Sequence, residues 1–329
     1  MELNLELIQT FDRPAGVENY HWCSAYSPDR TTVGLLGDRD TLQVFEWSEG
    51  RLRSTREFPL PSITTYPALH EREISIHPGG QQVAVASRNS VQLIDPDGAT
   101  QPIAEEIKGE PRAVLFSRRG DKLWISYEDP QAQTNFICLA DCQTLSLIDT
   151  LEIGGLDDSY HALWYHPTRD VVAVEVSCGS PGSWLTFIEE AAWGLSKMTH
   201  ALERINDPFY MAGFSPDGSH FTVADPSKMQ LRQWPSCQLV AEVAPPGDND
   251  VFCWVATWVG ELFAAGWVTQ PNEQYGIMFN DRDLEPQCHA IWERPEDHDY
   301  IMFELLGLPE QRLLVIGDQR AGLFEVRRS

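Results

Sequence analysis

Nine histidines and seven cysteines are the residues with which this 329-residue chain could hold a metal or run acid–base chemistry. His289 and His298 flank Trp292 in a stretch that also holds Glu293, Glu296, Asp297 and Asp299. Imidazoles beside carboxylates can bind a divalent cation. The same residues also suit an exposed acidic loop ahead of a strand, and that reading is favoured. Cys138 and Cys142 stand four apart with no second Cys or His pair in a zinc-site pattern, so they read as strand residues. His77 and His166 occupy a repeated turn position that holds Ser27 and Ser215 in other copies, so they read as turn residues. The chain has no P-loop, no Gly-x-Gly-x-x-Gly and no Gly-x-Ser-x-Gly. The expectation is that it carries no catalytic residue, no cofactor and no metal.

Composition bounds the partners. A net charge of -25, from 49 acidic and 24 basic residues, argues against nucleic acid, whose phosphates need clustered Lys and Arg. It equally disfavours an anionic membrane surface. A protein or peptide partner, a basic one in particular, is compatible. An odd cysteine count without regular spacing suggests reduced thiols. The first residues, Met1-Glu2-Leu3-Asn4-Leu5-Glu6, do not read as a signal peptide, and no stretch is long and apolar enough to span a bilayer. The expectation is a cytoplasmic protein, monomeric on its own.

The elements that would position a site come from an internal repeat. Phe214-Ser215-Pro216-Asp217-Gly218 is a turn, with Pro fixing φ and Asp and Gly suiting the positions after it. Related units are Tyr26-Ser27-Pro28-Asp29, Ile76-His77-Pro78-Gly79-Gly80, Phe116-Ser117-Arg118-Arg119-Gly120 and Tyr165-His166-Pro167-Thr168-Arg169-Asp170. Weaker copies lie at Thr257-Trp258-Val259-Gly260 and Leu306-Gly307-Leu308-Pro309-Glu310. Their third positions, 28, 78, 118, 167, 216, 259 and 308, are 40 to 50 residues apart, the period of propeller blades. Each turn is followed by a continuous apolar run such as Val83-Ala84-Val85-Ala86 or Leu313-Leu314-Val315-Ile316, which reads as a strand buried on both faces. An alternating third strand and a more polar fourth follow. Residues 188 to 204 could form an amphipathic helix, but two strands around Ala192-Trp193-Gly194 are preferred.

The fold expected is all-β: a single seven-bladed β-propeller with four antiparallel strands per blade. The blades fall at roughly 12–61, 62–107, 108–154, 155–205, 206–246, 247–290 and 291–329. The last of these ends in a third strand, Gly322 to Ser329. The alternating segment Leu3-Asn4-Leu5-Glu6-Leu7-Ile8-Gln9-Thr10 is expected to supply its outer strand, so that residues 3–11 close blade seven.

The seven turn-plus-strand units, and acids ending third strands in Leu93-Ile94-Asp95, Leu139-Ala140-Asp141 and Phe279-Asn280-Asp281, resemble the WD-repeat family of β-propellers over nearly the whole chain. The chain departs from that family in lacking the Gly-His pair that opens a blade and the Trp-Asp pair. The nearest approaches to the latter are Phe45-Glu46-Trp47 and Arg232-Gln233-Trp234. The resemblance implies partner binding on the face where inner strands begin. Four residues before the anchor of each turn stand Trp22, Arg72, Arg112, His161, Tyr210, Cys253 and Met302, with Phe252 just ahead of Cys253. Aromatic and Arg side chains are enriched at binding hot spots. Rim loops are expected to add the acids Asp38, Glu128, Asp225 and Asp318, and the long loops Glu128 to Thr134 and Val268 to Gln274 to frame the face. The function expected is a non-catalytic protein- or peptide-binding scaffold. One alternative is a lactonase-like hydrolase holding Ca²⁺ or Zn²⁺ in the central channel, for which the opening positions offer little beyond Glu71 and His161. Another is a subunit of a larger complex that binds through the blade sides.

Overall fold

The structure is a computed structural model that describes residues 3–12, 24–36, 41–60, 74–87, 89–154, 160–177, 183–205, 209–225, 228–244, 251–269, 274–281, 286–292, 302–317 and 320–328. Every element among them is a β-strand, and the strands form seven four-stranded antiparallel sheets, the blades of a seven-bladed β-propeller.

In chain order, β1 (Leu3–Asp12) precedes the first complete blade, β2 (Ser24–Tyr26), β3 (Thr32–Leu36), β4 (Thr41–Ser48) and β5 (Arg51–Pro59). The second blade is β6 (Ile74–Ile76), β7 (Val83–Ser87), β8 (Ser90–Ile94) and β9 (Thr100–Ile103). The third is β10 (Glu110–Phe116), β11 (Lys122–Asp129), β12 (Thr134–Asp141) and β13 (Leu147–Glu152). The fourth is β14 (Tyr160–Tyr165), β15 (Val171–Ser177), β16 (Ser183–Ala191) and β17 (Gly194–Ile205). The fifth is β18 (Tyr210–Phe214), β19 (His220–Asp225), β20 (Lys228–Gln233) and β21 (Leu239–Val243). The sixth is β22 (Val251–Val259), β23 (Leu262–Thr269), β24 (Gln274–Asn280) and β25 (Pro286–Trp292). The last is β26 (Met302–Leu308), β27 (Arg312–Gly317) and β28 (Arg320–Arg328), completed by β1.

The chain divides into two compact units. Apart from residues 48–51, the first four complete blades lie in the unit made of residues 23–47 and 52–208, and the other three lie in the unit made of residues 1–22, 48–51 and 209–329.

Turn chemistry sets the repeat. Ser27 N–H donates to the Thr32 carbonyl at 2.9 Å, Arg30 N–H to the Ser27 carbonyl at 2.8 Å, and the Ser27 hydroxyl to Asp29 Oδ1 at 2.5 Å. Ser215 repeats the pattern with His220, Gly218 and Asp217. Where histidine replaces serine, Nδ1 takes over as acceptor: His77 Nδ1 receives Gly79 N–H at 2.9 Å and His166 Nδ1 receives Thr168 N–H at 3.2 Å. Both histidines are therefore turn residues. The turn closes in the left-handed region, at Gly80 (φ 62°), Gly120 (φ 75°) and Gly218 (φ 73°), and at Arg30 (φ 58°) in the first copy. Glycine meets that demand without steric cost. At Gly120 space adds to it, because a Cβ would stand 2.0 Å from His77 Nε2.

Packing between neighbouring sheets supplies the core. In β7, Val83 and Val85 join Leu42, Val44, Phe58, Ile74 and Ile76 in a cluster between the first and second blades. The alternate residues Ala84 and Ala86 join Val114, Phe116, Leu123, Ile125 and Cys138 between the second and third. A strand alternates its side chains between faces, so both faces of β7 are covered, and its continuous apolar run follows from that. The same arrangement recurs between the third and fourth blades through Trp124, Ile137, Val172, Val174 and Val176, and in the other unit between the last two blades through Ala264, Ile277, Phe279, Leu313 and Val315. Residues 188–204 lie in the β16–β17 hairpin and not in a helix.

The last blade is completed as expected. β1 pairs antiparallel with β28 from Leu3↔Arg328 to Asp12↔Arg320, with a bulge between Leu7 and Gln9. Leu5 packs against the cluster of Val259, Phe279, Val315 and Val326. The ion pairs Glu6–Arg327 (2.6 Å) and Asp12–Arg320 (3.2 Å) are solvent-exposed and contribute at most about 1 kcal/mol each. The hydrogen-bond ladder and Leu5 therefore hold the strand. Deleting residues 1–12 exposes the edge of β28 and part of this core. We expect the melting temperature to fall by roughly 10 °C, with aggregation on heating. An unchanged melting temperature in differential scanning calorimetry refutes this account.

Candidate functional site

In each antiparallel blade the first strand begins beside the end of the second, at the end that carries the second-to-third-strand connection. The register places Glu110 opposite Glu128, Tyr160 opposite Ser177, Tyr210 opposite Ala224 and Met302 opposite Gly317. Among the described residues, four first strands carry a one-residue bulge near this opening: β10 at Arg112, β18 at Ala212, β22 at Trp254 and β26 at Phe303. A bulge re-aims the side chains around it, which sequence periodicity does not reveal.

Around β10 the opening positions form a charged cluster. Arg112 reaches back to β11, with Nη2 2.6 Å and Nε 3.1 Å from Glu128 Oε2, and Glu110 Oε2 lies 3.4 Å from Nη2. Glu128 was expected on an exposed rim loop. It is instead a strand residue of β11 with only 5% of its side chain accessible, pressed inward because its strand position faces the arginine. The expected long loop from Glu128 to Thr134 is likewise shorter, since β11 runs to Asp129 and β12 starts at Thr134. The Asp129 carboxylate accepts the backbone N–H groups of Gln131 and Ala132 and so pins that turn.

His161, at the opening of β14, is fully buried, and its pKa is pushed down to about 3, first by burial and then by the charge of Arg112. It is a neutral core imidazole at physiological pH. Two further buried polar residues lie near the same end of these blades and escaped the sequence reading. Asn135 on β12 donates from Nδ2 to the Gly154 carbonyl at 3.3 Å, and Glu175 on β15 is fully buried. A lone Asn or Glu in a strand gives no periodic signal by which to find it.

Beside the cluster, a groove of about 150 Å³ opens between the second blade and the start of the third. Val91 of β8, Ile103 of β9, Ala104 and Pro111 of β10 supply apolar walls, with Ser90 and Glu105 among the polar lining groups. Gly109 lines it where a Cβ would stand 2.2 Å from the Glu128 carbonyl oxygen, so only glycine lets this connection lie against β11. The sequence reading did not anticipate this groove, because its walls come from three strands and two connections.

Tyr210 opens β18 in the other unit and is half-buried. Phe252 is the second residue of β22, Met302 the first of β26 and Asp225 the last of β19. Trp22, Arg72, Asp38 and Asp318 lie outside the described residues. His289 and Trp292 belong to strand β25, not to the acidic loop expected there, while residues 293–300 are outside the described set. Among the described residues, no three His, Cys, Asp or Glu side chains gather as a metal-binding group, and no helix is long and apolar enough to cross a membrane. Burial, then the charges of Asp141 and Asp121, push the Cys142 thiol up to about 12, so it stays protonated.

No protein-family model matches the chain, and no curated protein matches it either. The site is accordingly read from its own residues.

Two measurements check the cluster. Arg112→Ala removes the cation beside a buried carboxylate and should cost about 3 kcal/mol or more in urea unfolding, whereas Arg112→Met with Glu128→Leu should recover most of it. A single-mutant loss below about 1 kcal/mol would contradict the pairing. For His161, the folded pKa lies below the ordinary value of 6.5, so the unfolded chain binds the extra proton first. Its stability contribution is full above pH 6.5 and is lost as pH falls toward 3, by up to about 1.4 kcal/mol per pH unit. The stability advantage of wild type over His161→Gln should shrink across that window, and a constant difference would exclude the burial-driven shift.

Proposed function

We propose that the chain is a non-catalytic binding scaffold for a protein or peptide. The working end is the one at which the first strands of the blades begin. The observation that carries this reading is the size and setting of the groove beside Arg112. Small-molecule sites run to roughly 300–1,000 Å³. At about 150 Å³, the groove suits one inserted side chain better than a substrate. The neighbouring Arg112 is already neutralised by Glu128 and Glu110, and His161 is held neutral by burial, so the cluster supplies structure and polarity more readily than acid–base catalysis. The net charge of -25 favours a basic partner through steering and complementarity.

Within this reading, the chain is a degenerate relative of WD-repeat propellers. The support is its turn-plus-strand repeat, and fold alone does not fix function. We place it in the cytoplasm as a monomer, from its cysteine usage and composition.

The test is affinity capture with the native protein and with Trp22→Ala plus Tyr210→Ala. These positions are chosen over Arg112 because removing that arginine perturbs buried Glu128. Specific loss of one partner from the double variant, with an unchanged melting temperature, supports the proposed end. Stoichiometric Ca²⁺ or Zn²⁺ in the purified protein would favour the hydrolase instead. A stoichiometric partner that the double variant retains would favour binding through the blade sides.

A further inference from the structure

The groove between the second and third blades has a definite occupant chemistry. This step rests on the binding-scaffold reading and goes beyond it by naming what is bound and how. We infer that the groove takes one aliphatic side chain, of leucine or proline size, from an extended partner segment that carries a basic residue beside it.

Three observations support this. The first is volume: a space of roughly 150 Å³ accommodates a benzene-sized group, and the groove measures about 150 Å³, with Val91, Ile103, Ala104 and Pro111 lining it beside the polar Asn89, Ser90 and Glu105. The second is charge: among the described residues that line it, Glu105 is the charged one, and Glu106 follows on the same exposed turn. Lys108, the cation of that connection, is exposed and does not line the groove. A slot of mixed lining, with aliphatic groups at its base and a carboxylate at its edge, complements an aliphatic side chain next to Lys or Arg. The third is binding mode. β9 is the outer strand of its blade, but it is four residues long and contains Pro102, which has no N–H to offer an added strand. Strand addition is thereby disfavoured, and insertion of a side chain between the blades remains.

The groove is also held in shape before binding. Ala104 takes a left-handed φ of 54°, its N–H donates to the Leu145 carbonyl at 3.0 Å, and its carbonyl accepts Ile107 N–H at 3.0 Å. Gly109 keeps the connection against β11. A preformed slot avoids the ordering cost of binding.

The experiment uses the full chain and a displayed library of random dodecapeptides. The selected peptides are then measured by fluorescence polarisation against wild type, Asn89→Trp, which obstructs the groove, and Glu105→Lys. Asn89 and Glu105 are exposed lining residues, so both variants should keep the wild-type melting temperature. We expect selected peptides to share an aliphatic residue with Lys or Arg within two positions. Affinity should drop about tenfold when that aliphatic residue becomes Ala or when the protein carries Asn89→Trp. Glu105→Lys should weaken basic peptides several-fold. Selected peptides that bind Asn89→Trp as well as wild type, or that are acidic, overturn the groove inference. If those same peptides lose binding to Trp22→Ala plus Tyr210→Ala, the scaffold reading survives without the groove. No enrichment at all overturns this inference, and captured partners that ignore both sets of variants overturn the scaffold reading as well.

Discussion

Burial of the second strand of a blade on both of its faces is the constraint from which the rest of the structure follows. A β-strand has two faces, and a single sheet can cover neither. In β7 the odd residues meet the first blade and the even residues the third, so a sheet that could not be stable alone becomes the filling between two others. Each apolar layer is shared by two blades. The polar backbone near these layers then has to be satisfied locally, and hydroxyls reach between neighbouring first strands to do so. Ser75 Oγ accepts Phe116 N–H at 3.0 Å, and Thr257 Oγ1 accepts Gly307 N–H at 3.1 Å. Shared layers also explain why β1 matters: a blade short of its outer strand leaves a face and an edge exposed in the cluster that Leu5 covers.

Both faces of the middle strands are committed to packing, which leaves the blade ends and the outer strands to meet solvent. The turn ends are occupied by their own hydrogen bonds, from Ser27 and Ser215 or from His77 and His166. Some turns also reach the next blade: Arg118 lies over the Tyr165 ring at 5.4 Å and donates to the Pro167 carbonyl, and Lys122 pairs with Glu190. The opposite end, where first strands begin, holds the groove, the bulge at Arg112 and the buried polar groups. Buried polarity is costly unless satisfied, and Arg112 answers it by sharing one Glu128 oxygen between two of its nitrogens.

Much of this was written in the primary structure. The turn residues Ser-Pro-Asp-Gly need no partner to adopt their geometry, and a continuous β-branched run needs two apolar neighbours whatever they are. Local stereochemistry and periodicity therefore determined the seven repeats, the strand order within a blade, the role of His77 and His166 as turn residues, the hairpin at Trp193 and the service of residues 3–11 as an outer strand, which the structure extends to Asp12. The site was legible only as a set of positions. Glu128 read as a rim-loop acid, and only its place on β11 beside the start of β10 brings it against Arg112. His161 read as a surface contact, and only the blades around it make it a buried, neutral imidazole. The groove has no sequence signature at all, because Val91, Ile103 and Pro111 belong to three strands of two blades. Elements follow from interactions among residues close in the chain, which a sequence displays. Burial, ion pairing and cavities follow from residues brought together across blades, and those distances exist only once the sheets have packed.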